Sequence, residues 1–197
     1  MKKLSCILTS RLVWISLVTV SVLACKSEYE SRVAKELASG LIQDSLILGL
    51  HMGLSKQAYF DACFELNRQQ LINSGTGDAS AHYITDRDSS GMNTLRSKDV
   101  LFFGIFDEED IMRGMEMTYS FVAWAPWNRN MQSDSLLLHL RDEYLADYPG
   151  NDFLELKLES SENPALVKID GNRQILMYTK GKKDVVVKIE DLQYKLK

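Results

Sequence analysis

Three apolar runs near the C-terminus, set apart by two tight turns, constrain the fold most. Ala165 to Ile169, Gln174 to Thr179 and Val185 to Ile189 are rich in β-branched and long apolar residues. Asp170-Gly171-Asn172 separates the first pair and Gly181-Lys182-Lys183 the second. A glycine after Asp supplies the positive φ that hairpin turns need to match the twist of antiparallel strands. The tail therefore reads as an antiparallel meander, with Leu192 to Leu196 extending its last strand.

The preceding chain adds helices and further strands. Ser27 to Leu41 places Tyr29, Val33, Leu37 and Leu41 at helical spacing, with Ser27 as N-cap and Gly40 as stop. Asp44 to Leu50 reads as a buried strand. Ser55 caps a second helix, Lys56 to Ile72, whose expected stripe is Tyr59, Phe60, Cys63, Phe64 and Leu71. Asn73 to Asp99 is polar, with a short strand over Ala81 to Thr85. Val100 to Phe106 and Met115 to Trp124 favour strands by their aromatic and β-branched content. Ser133 caps a third helix lined by Leu137, Leu140, Tyr144 and Tyr148, and Pro149-Gly150-Asn151 ends it. Phe153 to Leu158 alternates as a strand.

These elements predict an α+β fold: antiparallel sheet with two main helices packed on one face. Helix followed by strands occurs twice, in halves 44–124 and 133–197, and Asp44-Ser45-Leu46-Ile47-Leu48 echoes Asp134-Ser135-Leu136-Leu137-Leu138. A degenerate duplication is one reading of that pattern. The organisation expected is residues 1–24 as a leader, 25–43 as anchor and polar helix, and 44–197 as a single domain.

The leader has basic Lys2, Lys3 and Arg11, then the uncharged run Leu12 to Leu23, then Ala24 and Cys25. That run is shorter than the roughly 20 apolar residues a spanning helix needs, and its order is that of a secretory signal. Val22-Leu23-Ala24-Cys25 resembles the lipobox of bacterial lipoproteins, departing from it in its first two positions. The resemblance implies cleavage before Cys25, a diacylglyceryl group on its thiol and acylation of its amino group, with palmitate a typical chain. Two or more acyl chains hold a protein stably at a membrane. Gly49 to Lys56 also looks faintly like the helix start of small outer-membrane assembly lipoproteins. Ser27-Glu28-Tyr29-Glu30, Asn128 to Leu136 and Val167 to Arg173 resemble a group of lipoproteins from Bacteroidota-type bacteria. These likenesses imply the cell envelope, the outer rather than the inner membrane, and bring no activity or catalytic residues.

Cleavage would remove three of the 23 basic residues and none of the 27 acidic ones, leaving a mature charge of −7. So acidic a body carries no nucleic-acid footprint and is expected to gain nothing from anionic lipid. Cys6 would leave with the leader and Cys25 would be lipidated. Cys63 alone remains, in the apolar setting of Tyr59 to Phe64, and reads as inert packing.

No pattern amounts to a catalytic constellation, and no cofactor is expected. Asp86, Asp88 and Ser90 with Gly91 begin like a calcium loop, but Asn93 and Ser97 stand where an apolar residue and a bidentate Glu belong. An ordinary polar turn is the preferred reading. Asp107 to Asp110 reads as a solvated hairpin tip, and His51, His82 and His139 lack metal spacing; His139 is expected to pair with Asp142 or Glu143. Trp124, Trp127, Asn128 and Arg129 combine rigid aromatic area with hydrogen-bonding groups, which suits a protein or glycan contact, but a Trp plug sealing the core where strand passes to helix is the preferred reading. Alternation along the preceding strand puts Trp124 on its less apolar face and cannot orient Trp127, which follows Pro126, so Trp124 is expected to be the more exposed and Trp127 the more buried. The expected function is a lipid-anchored, non-enzymatic binding or scaffolding module of the envelope. The alternative is an envelope enzyme acting on a glycan or peptide.

Cys25→Ala should abolish incorporation of labelled lipid and leave either uncleaved precursor or soluble protein. Normal processing with unchanged membrane retention would exclude the lipobox assignment.

Overall fold

The structure, a computed structural model, describes residues 27–75, 80–157 and 164–196; Cys25 and the leader lie outside them. The chain forms two compact units, Met1–Ser31 and Arg32–Lys197. In the first, Ser27 Oγ accepts from Glu30 N (3.2 Å) while Glu30 Oε2 accepts from Ser27 N (2.9 Å). This reciprocal capping box starts helix α1, Glu28–Ala38.

The second unit is built on an eight-stranded antiparallel sheet. Its strands are β1 (Asn73–Ser74), β2 (Ala81–Arg87), β3 (Asn93–Phe106), β4 (Met112–Phe121), β5 (Leu154–Leu156), β6 (Ala165–Asp170), β7 (Arg173–Lys180) and β8 (Asp184–Asp191). Their order is β1-β2-β3-β4-β8-β7-β6-β5. Helix α2 (Lys56–Arg68) precedes β1–β4, and α3 (Ser133–Asp147) precedes β5–β8. Each half is thus a helix followed by a four-stranded meander, and the halves join where β4 pairs with β8, from Gly114↔Glu190 to Ser120↔Asp184. The α+β architecture is the expected one. The short sequence echo is not its basis, because Asp134–Leu138 lies inside α3 while Asp44–Leu48 precedes α2 as non-helical chain.

Both helices cover one face of the sheet. Its core includes Val100 and Phe102 of β3, Met115, Met117, Tyr119 and Phe121 of β4, Ile175 and Met177 of β7, and Val185, Val187 and Ile189 of β8. These positions alternate, as residues on one face of a strand must. Onto them α3 packs Leu136, Leu137, Leu140 and Tyr144, and α2 packs Tyr59, with Ala62, Cys63 and Leu66 partly buried.

Several local expectations are corrected. Asp44 to Leu50 is not a strand: Ile47–Gly49 makes a 3₁₀ turn containing Leu48 at φ 56°, and a single bridge links Ser45 to His51. Helix α2 ends at Arg68, and Phe60, Phe64 and Leu71 of its expected stripe are exposed. Apolar spacing did not distinguish the two sides of that helix; the buried side is the one carrying Tyr59 and Cys63. Ser133 does not cap α3. Its hydroxyl donates to Gly181 O (2.7 Å), fastening the helix start to the β7–β8 turn. Leu192–Lys195 is a short helix, α4, instead of a strand extension, because Asp191 Oδ1 accepts from Gln193 N (3.0 Å) and caps it.

A buried polar knot fixes the far end of α3. Lys168, fully buried, donates to Asn151 O and pairs with Asp170 Oδ2 (2.9 Å), while Asp170 Oδ1 accepts from Asn151 N (2.7 Å). Arg173 lies over the Tyr148 ring (4.6 Å) and donates to Ser45 Oγ (2.8 Å). Glu36 of α1 accepts from Gly171 N and Asn151 Nδ2, both at 2.9 Å. These bonds hold its carboxyl below the usual range despite the opposing effect of burial.

Gly114 sits where β4 meets β8, and a Cβ there would lie 2.3 Å from Ile189 O. The obstacle is backbone inside the central pairing, so the sheet must shift to admit it. Gly114→Ala should lower unfolding free energy by about 1–3 kcal/mol, read as a drop in the urea midpoint. An unchanged midpoint would refute the close approach.

Candidate functional site

A cleft of about 390 Å³ opens between α3 and the β2–β3 end of the sheet. Tyr83, Tyr119, Tyr144 and Tyr148 form much of its lining, with Ile47 from the chain before α2. Exposed Asp86, Glu143 and Asp147 stand at its opening. Lys98 also lines it, almost fully buried, held between Asp86 Oδ2 and Glu143 Oε1 (2.7 Å to the latter).

Each group arrives there for a local reason. Lys98 falls on the core face of β3 by alternation, two residues before Val100 and four before Phe102. Asp86 occupies an irregularity between Thr85 and Arg87, at φ 53°, a conformation that Asp tolerates better than most residues. Its carbonyl accepts from Ser97 Oγ (2.9 Å) and Thr94 Oγ1 (3.0 Å), which hold it there. Glu143 and Asp147, and likewise Tyr144 and Tyr148, are one helical turn apart on α3.

The tyrosines form a connected set. The Tyr119 and Tyr144 hydroxyls are 2.8 Å apart, and the Tyr144 and Tyr148 rings stack with centroids 5.3 Å apart. Burial pushes Tyr119 and Tyr144 well above the usual tyrosine value, with neighbouring phenols adding to it. Burial also takes Tyr83 and Tyr148 up to about 12, the second in spite of the Arg173 guanidinium. All four are neutral at physiological pH and serve as hydrogen-bonding walls. Asp86 moves the other way. Burial would raise it, but the Lys98 ammonium and the Thr85 hydroxyl outweigh that and leave it below the usual carboxylate range.

The residues expected to form a contact lie elsewhere, in the loop between β4 and α3, and the order of the two tryptophans is reversed. Trp127 is 85% exposed. Trp124 is half-buried, packs against the core and donates Nε1 to Lys182 O (3.2 Å). The alternation argument failed because β4 ends at Phe121 and the chain turns there, with Trp124 N donating to Phe121 O (3.1 Å). Asn128 N closes a turn on Ala125 O (3.0 Å), and Arg129 is exposed.

The calcium-like residues do not converge. Asp86 is turned to Lys98, while Asp88 Oδ1 accepts from Ser90 N, Ser90 Oγ and Met92 N within its own turn. Among the described residues no three His, Cys, Asp or Glu gather as a metal site. His139 packs edge-on to Phe121 (5.9 Å) instead of pairing with Asp142, which bonds Arg141, or Glu143, which bonds Lys98. Cys63 is partly buried, and desolvation raises its thiol.

Sequence reading missed the cleft, since its charged members are scattered along the chain and match no motif. The available signal was Lys98 itself, a lysine on the apolar face of a strand, which must find buried partners. No protein-family model matches the chain, and no curated protein or solved structure matches it.

Trp127→Ala should change unfolding free energy by no more than about 0.5 kcal/mol. Trp124→Ala should cost about 1–3 kcal/mol through lost packing and its hydrogen bond. Urea titration of both variants checks this; equal effects would contradict the assignment.

Proposed function

We propose that the chain is a lipid-anchored, non-enzymatic binding protein of the bacterial cell envelope, and that the tyrosine cleft receives its ligand. The anchor rests on the lipobox-like segment ending at Cys25. The observation that carries the binding reading is the cleft. Aromatic walls with a few convergent polar groups in a concavity of this size are the usual form of a small-ligand site. Its charge sets the ligand class. Lys98 is matched against Asp86 and Glu143, and Asp147 adds a further negative charge. That balance repels anions and favours neutral or cationic groups, such as a glycan or a basic peptide side chain.

Binding fits the cleft better than catalysis. A glycosidase-type acid needs a carboxyl raised toward neutrality, whereas Asp86 moves down. The groups that move up are tyrosines, which at about 12 and above are poorly matched to proton transfer near pH 7.

Titration of a neutral chito-oligosaccharide and of a short Lys-rich peptide, followed by amide NMR, tests the reading. At least one should shift the resonances of Tyr83, Tyr144 and Asp147, and inorganic phosphate should not. Asp147→Asn should weaken the peptide several-fold and leave the oligosaccharide nearly unchanged. Absence of cleft shifts with both probes, or turnover of either one, would overturn it.

A further inference from the structure

The charge of the body is sorted along the strands. The β2–β3 turn, the loop after β4 and the β7–β8 turn all lie at one end of the sheet. Register places them there: Arg87 pairs with Asn93, Lys98 with Phe121, and Ser120 with Asp184, which also pairs with Lys180. The loop after β4 touches both of its neighbours: Val122 N donates to Ser97 O of β3 (2.9 Å), and Trp124 Nε1 donates to Lys182 O of the β7–β8 turn.

This end exposes Arg87, Arg96, Arg129, Lys180, Lys182 and Lys183. Its acids are fewer: Asp86 is paired with the buried Lys98, Asp88 is turned into its own loop, and Asp134 and Asp184 lie near the α3 start and the β7–β8 turn. The opposite end carries Asp107, Glu108, Glu109, Asp110, Glu190 and Asp191 around the β3–β4 turn and the end of β8, where Arg113, Lys56 and Lys195 pair with Asp107, Asp110 and Glu190 and leave the acids in excess. Between the basic groups stand single large apolar side chains: Met92 at 66% exposure, Leu95 at 67%, Val122 at 40% and Trp127 at 85%.

We propose that this end of the sheet seats on an anionic lipid surface. A protein partner would be met by a contiguous apolar patch or groove, whereas these apolar groups are spread over the β2–β3 hairpin and the loop after β4, among basic side chains. Such an arrangement suits shallow insertion beneath a layer of headgroups. Tryptophan favours that interfacial depth, Arg and Lys bury their stems while their charges stay in the headgroup layer, and each basic side chain near an anionic surface adds to the attraction. An acidic protein overall can therefore approach anionic lipid by this end. The inference is independent of the cleft and runs against the expectation, drawn from net charge alone, that the body gains nothing from anionic lipid.

The test uses the full chain with vesicles of phosphatidylcholine, with or without phosphatidylglycerol, containing brominated acyl chains. Quenching of the fluorescence component that is lost in Trp127→Phe should appear with phosphatidylglycerol and fade at high salt. Lys182→Glu with Lys183→Glu should raise the lipid concentration needed by on the order of tenfold or more, with an unchanged melting temperature. Equal quenching in neutral vesicles, or none in either, would overturn the proposal. So would protection of Trp127 from iodide by soluble polyglutamate or by single-stranded DNA without any bromolipid quenching.

Discussion

The pairing of β4 with β8 is the interaction on which the rest of the body depends. It is the one seam between two helix-plus-meander halves, and it aligns Met115 with Ile189, Met117 with Val187 and Tyr119 with Val185, all buried. The hairpins β2–β3, β3–β4, β6–β7 and β7–β8 are local, each with its ends held close by a short connection. This seam instead joins residues some seventy positions apart, so its closure entropy must be offset by the core it assembles. A glycine at Gly114 lets the two backbones approach where the seam begins. Helix α3 packs on both sides of the seam, against β4 as well as β7 and β8, so its core is complete only when the seam has formed.

The same seam explains what could be read from residues alone. Hairpin strands were legible because each turn carries its own chemistry: Asp170-Gly171-Asn172 and Gly181-Lys182-Lys183 announce themselves. The α+β class followed from the count and type of such elements. The strand order did not, because β-branched content says that a strand exists and not which distant strand it pairs with. Asp44 to Leu50 shows the opposite failure. Its apolar run is that of a strand, but Leu46 and Leu50 face the core from a non-helical turn and no neighbouring strand is available to extend.

The candidate sites divide along similar lines. Trp124 and Trp127 were noticed as composition, yet their roles depend on where β4 stops, and boundaries are the least legible part of a strand. The cleft depends on Lys98, Asp86 and Glu143 meeting across the β2–β3 hairpin and α3. Their spacing in sequence has no period, so only tertiary contact reveals them. The buried lysine that links them makes the cleft's charge a property of the fold: removing Lys98 would leave two carboxylates facing each other beside low-dielectric tyrosine walls.

Net charge proved the least informative quantity, because it averages over a body whose two ends differ in sign. The acidic residues gather around the β3–β4 turn and the end of β8, and the basic ones around the β2–β3 and β7–β8 turns. An antiparallel sheet makes such sorting simple, since alternate turns fall at the same end however far apart they are in sequence. The helix α3 begins at the basic end, where Ser133 is tied to Gly181, and finishes in the Lys168–Asp170–Arg173 knot at the other. The tyrosine cleft runs alongside that helix. Its lining extends from Asp86 and Lys98 on the β2–β3 hairpin to Tyr148 beside the knot, so the helix that ties the two ends of the sheet together also walls the cleft.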